Sequence, residues 1–410
     1  MTSATRDVPI RSWLIWLTAI ACLPPLGLNV LVPLDAALRE ALQLTEFQGQ
    51  AAIALYVLGL AVGQPLAGIS ADRWGRRRTL LAGLLVGLCG SALAAVAKDS
   101  NMLLTGRLMC GLGLSVVLVV PRATLRDLCS GAALQRGMAI ISVAFALMPA
   151  VAPVLGWWLL THGGGWRMAL GLLPLLIVLG CVVAFWRHAE TRPVATAVPD
   201  WDTLPMLWRH RVPRWVAIGF AGISSVFFLL IAQGPEALRE SVGLDGREIA
   251  WVLGGTYLGF LAGSLWAMRQ SRHMSGLQLC HWGGALAGLG VSVVVLGIVW
   301  WPSPLTWIVG MLVYSTGHGV IFPSALGVVM QALPTRAGMA AAFTGMLQMA
   351  VGAVVSGGAA LLPGSATQRT AFVAVLMVGV GLIALFAAHR SSTSTVDVQE
   401  KRTLEAKETP

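Results

Sequence analysis

The chain has 410 residues, of which 56% are hydrophobic and only 11% charged, with a formal net charge of +10. That apolar content exceeds what a water-soluble fold of this size can bury, which excludes an ordinary soluble enzyme and makes lipid the main solvent. The basic excess invites a nucleic-acid partner, but the charges sit in short stretches between apolar runs, where they set topology instead of forming a basic face.

Apolar runs occupy 12–34, 47–69, 79–97, 102–121, 137–160, 167–187, 213–234, 249–269, 277–299, 304–330, 338–362 and 370–388. Each is close to the roughly 20 residues that cross a bilayer as a helix, which satisfies its own backbone hydrogen bonds. Arg6 and Arg11 precede the first run as they would in a secretory leader. That run is long and lacks a small-residue cleavage site, so it reads as a retained span. The longest polar interruption, 188–212, carries Glu190, Arg192, Asp200, Asp202, Arg209 and Arg211 and divides the spans six plus six. The expected organisation is a six-helix bundle over 1–187, a linker over 188–212, a second six-helix bundle over 213–390 and a disordered tail over 391–410. With the N-terminus in the cytoplasm, about 21 Lys and Arg fall on the cytoplasmic side and about six outside, as the positive-inside rule requires. Both termini are then cytoplasmic. The six cysteines form no C-x-x-C pair and read as small packing residues, with no metal site or cofactor expected.

The strip Gly68-Ile-Ser-Ala-Asp72-Arg73-Trp-Gly75-Arg76-Arg77-Arg78 separates the second and third spans. Gly75 permits a tight turn without a Cβ clash, and four arginines hold the loop on the basic side. Gly68, Asp72, Arg73, Gly75, Arg76 and Arg77 resemble, position for position, the G-x-x-x-D-R-x-G-R-R signature of the major facilitator superfamily. The resemblance implies an all-α membrane fold of twelve transmembrane helices in two pseudo-symmetric six-helix bundles. The loop at Arg269–Gly276 occupies the equivalent place in the second half, basic but without the Asp, as in a degenerate repeat.

Arg107 lies early in the fourth span. It either faces a polar interior or snorkels to the headgroups. The superfamily has an R-x-x-x-G pattern there, matched by Arg107 and Gly111. At the end of the span, Arg126 and Asp127 can approach Asp72, Arg73 and Arg76 if spans two and four pack together, forming either a gating cluster or ordinary surface pairs. The fifth span contains Pro149, Pro153 and Gly156, which bend the helix and allow close approach to a neighbour. This resembles the span-five signature of drug/proton antiporters, with Ala152 before Pro153 as in the bicyclomycin-resistance (Bcr/CflA) branch. Pro121-Arg122-Ala…Arg126-Asp127, Gly59…Gly63-Gln64, Gly317-His318-Gly319…Pro323 and Arg336-Ala-Gly338…Gly345…Gln348 resemble that branch too.

His318 lies mid-span between two glycines and either titrates, bonds a substrate or is a neutral core histidine. Asn29, Tyr56, Gln64, Phe227, Phe228 and Tyr257, with Tyr314, Phe322, Phe343 and Gln348, suit a large, mostly apolar substrate cavity. No Asp or Glu lies in the middle of a span. The resemblance implies an acid in span one, yet that position is apolar and Asp35 lies near the outer end. Proton coupling then falls to Asp35, His318, Arg107 or the Asp72/Asp127 cluster. The expected function is export of hydrophobic or amphipathic small molecules by proton antiport, in a bacterial inner membrane. The expected partners are substrate, protons and lipid, without nucleic acid, and the expected state is a monomer. Alternatives are an exporter of an endogenous metabolite such as a siderophore, a nutrient facilitator or importer, and a non-transporting receptor. No nucleophile–base pair or nucleotide loop suggests an enzyme.

Overall fold

A computed structural model describes residues 10–129, 131–187, 189–191, 203–333 and 337–408. They form α1 (Ile10–Ala21), α2 (Leu23–Asn29), α3 (Asp35–Ala41), α4 (Glu46–Trp74), α5 (Arg76–Ala95), α6 (Ser100–Leu128), α7 (Gly131–His162) and α8 (Trp166–Arg187). A short α9 (Thr203–Arg209) precedes α10 (Arg211–Val242), α11 (Gly246–Gln270), α12 (Gly276–Trp300), α13 (Pro304–Ala332), α14 (Ala337–Gly358) and α15 (Ala366–Glu408). Among the described residues there is no strand, and 12 segments are long and apolar enough to cross a membrane.

Local chemistry sets the ends. Thr45 with Gln48, Asp245 with Glu248 and Ser275 with Gln278 form capping boxes that start α4, α11 and α12. Asp99 and Ser303 cap α6 and α13 in the same way through their side-chain oxygens. The first span, Arg11–Ala41, is not one helix. Pro24 and Pro25 open α2, and Pro33 lies in a 3₁₀ turn, Val32–Leu34, before α3. Missing prolyl N–H groups account for the breaks. At the other terminus, α15 continues past its apolar part, Ala366–Ser391, so the stretch expected to be a disordered tail is helical to Glu408. Residues 391–408 contain no Gly or Pro to stop it. Most of the expected linker, 192–202, lies outside the described residues.

Helix packing repeats with an offset of six spans. In the first half α4 and α5 pack on α6, and α5 on α8; in the second α11 and α12 pack on α13, and α12 on α15. The halves meet along two equivalent contacts, α4 with α14 and α7 with α11. This is the pattern of a duplicated unit with its interface at the centre. Within the first half α4 and α6 lie so close that a Cβ on Gly111 would come 2.0 Å from the Tyr56 carbonyl. Leu85, Leu175, Leu179, Leu289, Val354 and Ile383 are exposed on the periphery, where lipid replaces protein as their solvent. Trp74 and Trp186 at one end, and Trp300 and Trp301 at the other, are also exposed, as interfacial aromatic residues are. The two ends are called here the Gly75 end and the Thr45 end.

Candidate functional site

Between the bundles lies a cleft of about 20 Å³, walled by Asn29 and Pro153 of the first half and Phe227, Leu253, Tyr257, Met311 and Tyr314 of the second. That space holds one water molecule, whereas a drug-sized ligand needs roughly 300 Å³ or more. The cleft is closed by a hydrogen bond across the bundle boundary, in which the Tyr257 hydroxyl donates to Asn29 Oδ1 at 2.8 Å. Asn29 is oriented by its own Nδ2, which donates to the Pro25 carbonyl at 2.8 Å. The break in the first span thus positions a cleft residue. Gly156 of α7 packs against Val30 on the other side of that break.

His318 sits behind the cleft, buried, in an aromatic cage. Phe227, Phe260 and Tyr314 have ring centroids 5.5, 5.3 and 6.0 Å away, and Phe322 lies at 6.2 Å. Its Nε2 shares a hydrogen bond of 3.0 Å with the Ser224 hydroxyl. The Tyr314 hydroxyl donates to the Ile223 carbonyl, 2.9 Å. Phe227 also meets Phe228 and Tyr257, at 5.2 and 5.5 Å. Phe227, Tyr314 and Phe322 were cavity candidates from the sequence; Ser224 and Phe260 were not, since they lie on other helices than His318 and carry no local signal.

Arg107 is 2% exposed, so it does not snorkel. Its Nε donates to the Ala52 carbonyl at 3.1 Å and its Nη1 to the Gly27 carbonyl at 2.8 Å. The guanidinium lies 4.2 Å from the centre of the Tyr56 ring, and the Tyr56 hydroxyl donates to the Pro24 carbonyl. Nη2 has no hydrogen-bond partner among the described residues. Arg107 and Tyr56 therefore bind α2, α4 and α6 together inside the first bundle. Neither faces the cleft.

At the Gly75 end Arg76, 1% exposed, bonds Asp72 through Nη1 at 2.5 Å and Asp127 through Nε at 3.1 Å. This joins α4, α5 and α6 within one bundle. Glu190, just past α8, completes the cluster: its Oε1 accepts from the Arg76 backbone N–H at 2.8 Å and its Oε2 from that of Arg77 at 3.3 Å. A carboxylate on the first amides of α5 is favoured by the helix dipole. Gly75 takes φ +99°, and a Cβ there would come 2.2 Å from Glu190 Oε2. Sequence reasoning missed Glu190 because it lies more than a hundred residues from its partners. Arg73 and Arg126 are exposed, and a Cβ on Gly68 would meet open space.

The remaining candidates disperse. Gln64 donates to Met349 Sδ across the α4–α14 contact, 3.1 Å, and Gln348 is buried. Phe228 packs where a Cβ on Gly352 would stand. Phe343 lines a separate apolar pocket of about 160 Å³ beside Leu207 and Trp208 of α9. Pro149 lies in α7, one residue before Ala150, which packs on Gly254 of α11. Asp35 pairs with Arg39 at the Thr45 end, 3.5 Å, far along the chain and in a different bundle from His318. Arg39 also reaches Glu236 across the bundle boundary, 3.4 Å, and Arg369 pairs with Glu46 across it. Among the described residues no group of His, Cys, Asp and Glu has the arrangement of a metal site.

The Major Facilitator Superfamily profile matches residues 16–357. An uncharacterised MFS-type transporter of Bacillus subtilis, YdgK, is 24% identical over 344 residues, 82% of this chain and 85% of its own. The multidrug resistance protein MdtL of Citrobacter koseri is 26% identical over 341 residues, 81% of this chain and 84% of its own. A peptide transporter solved in complex with sulfate has the same fold, with a TM-score of 0.74 at 15% identity over 93% of this chain and 95% of that one. A D-xylose–proton symporter matches with a TM-score of 0.71 at 15% identity over 92% and 97%.

Proposed function

The chain belongs to the major facilitator superfamily, and from that premise we propose that it is a secondary active exporter of hydrophobic or amphipathic small molecules, of the bicyclomycin-resistance branch of drug/proton antiporters. The observation that carries this reading is the cleft between the bundles, mostly apolar and aromatic, with a few neutral polar groups. A nutrient importer would need a more polar wall. Relatives named as multidrug resistance proteins support export. The basic-residue bias supports a bacterial cytoplasmic membrane location with both termini and the Gly75 end in the cytoplasm.

Cross-bundle ion pairs join the Thr45 end, while Arg76, Asp72 and Asp127 pair with one another within the first bundle. This arrangement supports a state closed to the outside. Transport then consists of the bundles rocking about the cleft, so that it widens towards the cytoplasm for loading and towards the outside for release. Asp35, at the outer end, and His318, behind the cleft, are the proposed proton carriers, and Arg107 a positioning group for α2. Uptake of a small substrate panel into inside-out vesicles, with and without an imposed pH gradient, tests the proposal. Gradient-driven accumulation is expected, and its loss in Asp35→Asn or His318→Gln would identify the carrier. Uptake indifferent to the gradient would leave a facilitator. Absence of uptake for every solute would leave a receptor.

A further inference from the structure

Most polar side chains in the cleft's walls are committed to partners. The Thr256 hydroxyl donates to the Leu253 carbonyl at 2.7 Å and that of Tyr314 to the Ile223 carbonyl, both inside the second bundle. The Asn29 amide nitrogen is committed to Pro25. Besides the Ser315 hydroxyl on the second bundle's wall, that leaves Asn29 Oδ1 and the Tyr257 hydroxyl, which satisfy each other across the bundle boundary only while the bundles stay closed on the cleft. Widening the cleft separates them, placing an acceptor on one wall and a donor on the other. Each then bonds the water that enters, and a molecule that displaces this water leaves a buried polar group without a partner, which is costly unless the molecule supplies the complement. No charged residue lines the cleft among the described residues. The carboxylates that could serve as counter-ions are held elsewhere, Asp35 by Arg39 and Asp72 and Asp127 by Arg76. A permanent cation would meet the rings of Phe227, Tyr257 and Tyr314 and the neutral groups of Asn29, Thr256 and Ser315, which offset part of its lost hydration but supply no opposite charge.

We infer that the cleft selects uncharged molecules with a hydrogen-bond donor and acceptor side by side on an apolar body, such as a secondary amide or a hydroxyl, and that these replace the Asn29–Tyr257 bond. Permanent cations are poor ligands. This inference names the substrate class of the exporter proposed above and rests on that reading for the site, but not on transport for its test. Tyr257 and Asn29 are then specificity-determining residues: Tyr257 donates to the ligand and Asn29 accepts from it.

The test is equilibrium binding to the purified full-length protein in detergent, by scintillation proximity, with two radiolabelled probes. Chloramphenicol is neutral and carries a secondary amide and hydroxyls; tetraphenylphosphonium is a permanent cation with no hydrogen-bonding group. The unmodified protein should bind chloramphenicol at least about tenfold tighter than the cation. Tyr257→Phe keeps the ring and should weaken chloramphenicol about tenfold while leaving the cation unchanged. Asn29→Asp keeps the shape, adds the missing counter-ion and should reverse the preference. Equal or tighter binding of the cation by the unmodified protein overturns the inference. So does failure to bind chloramphenicol, or a Tyr257→Phe variant that binds both probes as before or loses both in the same ratio. If Tyr257→Phe does not fold, the reversal in Asn29→Asp decides alone. Loss of vesicle transport with the binding preference intact would sink the exporter reading and leave this one standing.

Discussion

At Gly75 the backbone takes φ +99° and ψ 159°, a conformation that only glycine adopts without strain, and Glu190 fills the space a Cβ would need. Gly75→Ala should therefore cost about 1–3 kcal/mol from backbone strain alone and more if Glu190 is expelled. Gly68, seven residues earlier in the same pattern, lies inside α4 with open space at its Cβ position. Gly68→Ala should be neutral or stabilise by up to about 1 kcal/mol through its better helix propensity. Unfolding of the two variants in detergent, followed by fluorescence, checks the contrast; equal losses would mean that Gly68 has a role this conformation does not display. The carboxylates around Arg76 divide similarly. The side chain of Asp127 is 4% exposed and that of Asp72 25%. Asp127→Asn leaves a buried guanidinium short of a charge and should cost about 3–5 kcal/mol, whereas Asp72→Asn should cost less. A larger loss for Asp72→Asn would show that the burial order does not set the energetics. Gly75 was legible in the sequence because turn chemistry is local. Its partner Glu190 was not, because a helix N-terminus accepts any carboxylate that the tertiary structure delivers.

Individual helices were legible in number and approximate extent, since a run of about 20 apolar residues in lipid has few options besides a helix. What the sequence concealed is how the helices are interrupted and which faces meet. The run 12–34 reads as one span, yet its prolines divide it into α1, α2 and a 3₁₀ turn, and that division aims Asn29 at the cleft. In α7, Pro149 and Pro153 are visible in the sequence as potential bend points inside the helix, but the contact beside them depends on α11, a hundred residues on. There a Cβ on Gly254 would stand 2.8 Å from the Ala150 carbonyl, so the two helices approach backbone to backbone. Gly254→Leu should wedge α7 from α11 and weaken the closed interface. Spin labels on the ends of α7 and α11 nearest Thr45 should then report a longer distance by double electron–electron resonance than in the unmodified protein. An unchanged distance would mean that the contact is incidental to closure, and that α4 with α14 carries the interface alone.

Over the whole molecule, charge is distributed so that one end is tied across the bundles and the other within a bundle. The six-plus-six architecture and the strip at 68–78 were readable in advance, because both repeat or match short patterns. The cross-bundle pairs were not: Glu46 and Arg369 lie 323 residues apart and have no mutual sequence signal. These pairs differ in what they can hold. Arg39 and Glu236 are 27% and 32% exposed, so water and salt screen them and their contribution should stay below about 1 kcal/mol. The side chain of Arg369 is 8% exposed, and its Nη1 also reaches the Ala360 carbonyl. Removing its carboxylate partner strands a largely buried guanidinium, a change of about 3–5 kcal/mol in the closed state. In an open state Arg369 regains water, so the penalty falls on closure specifically. Glu46→Gln should therefore shift the population towards opening at the Thr45 end, while Glu236→Gln should do so weakly. The readout is the labelling rate of a single cysteine at Val32, a cleft position, by a membrane-impermeant maleimide applied from the Thr45 side, with the native cysteines replaced. Labelling should accelerate strongly in Glu46→Gln and little in Glu236→Gln. If Glu236→Gln accelerates it as much, the buried pair is not the stronger tie. If neither does, closure rests on the helix contacts and the Asn29–Tyr257 bond instead of on charge.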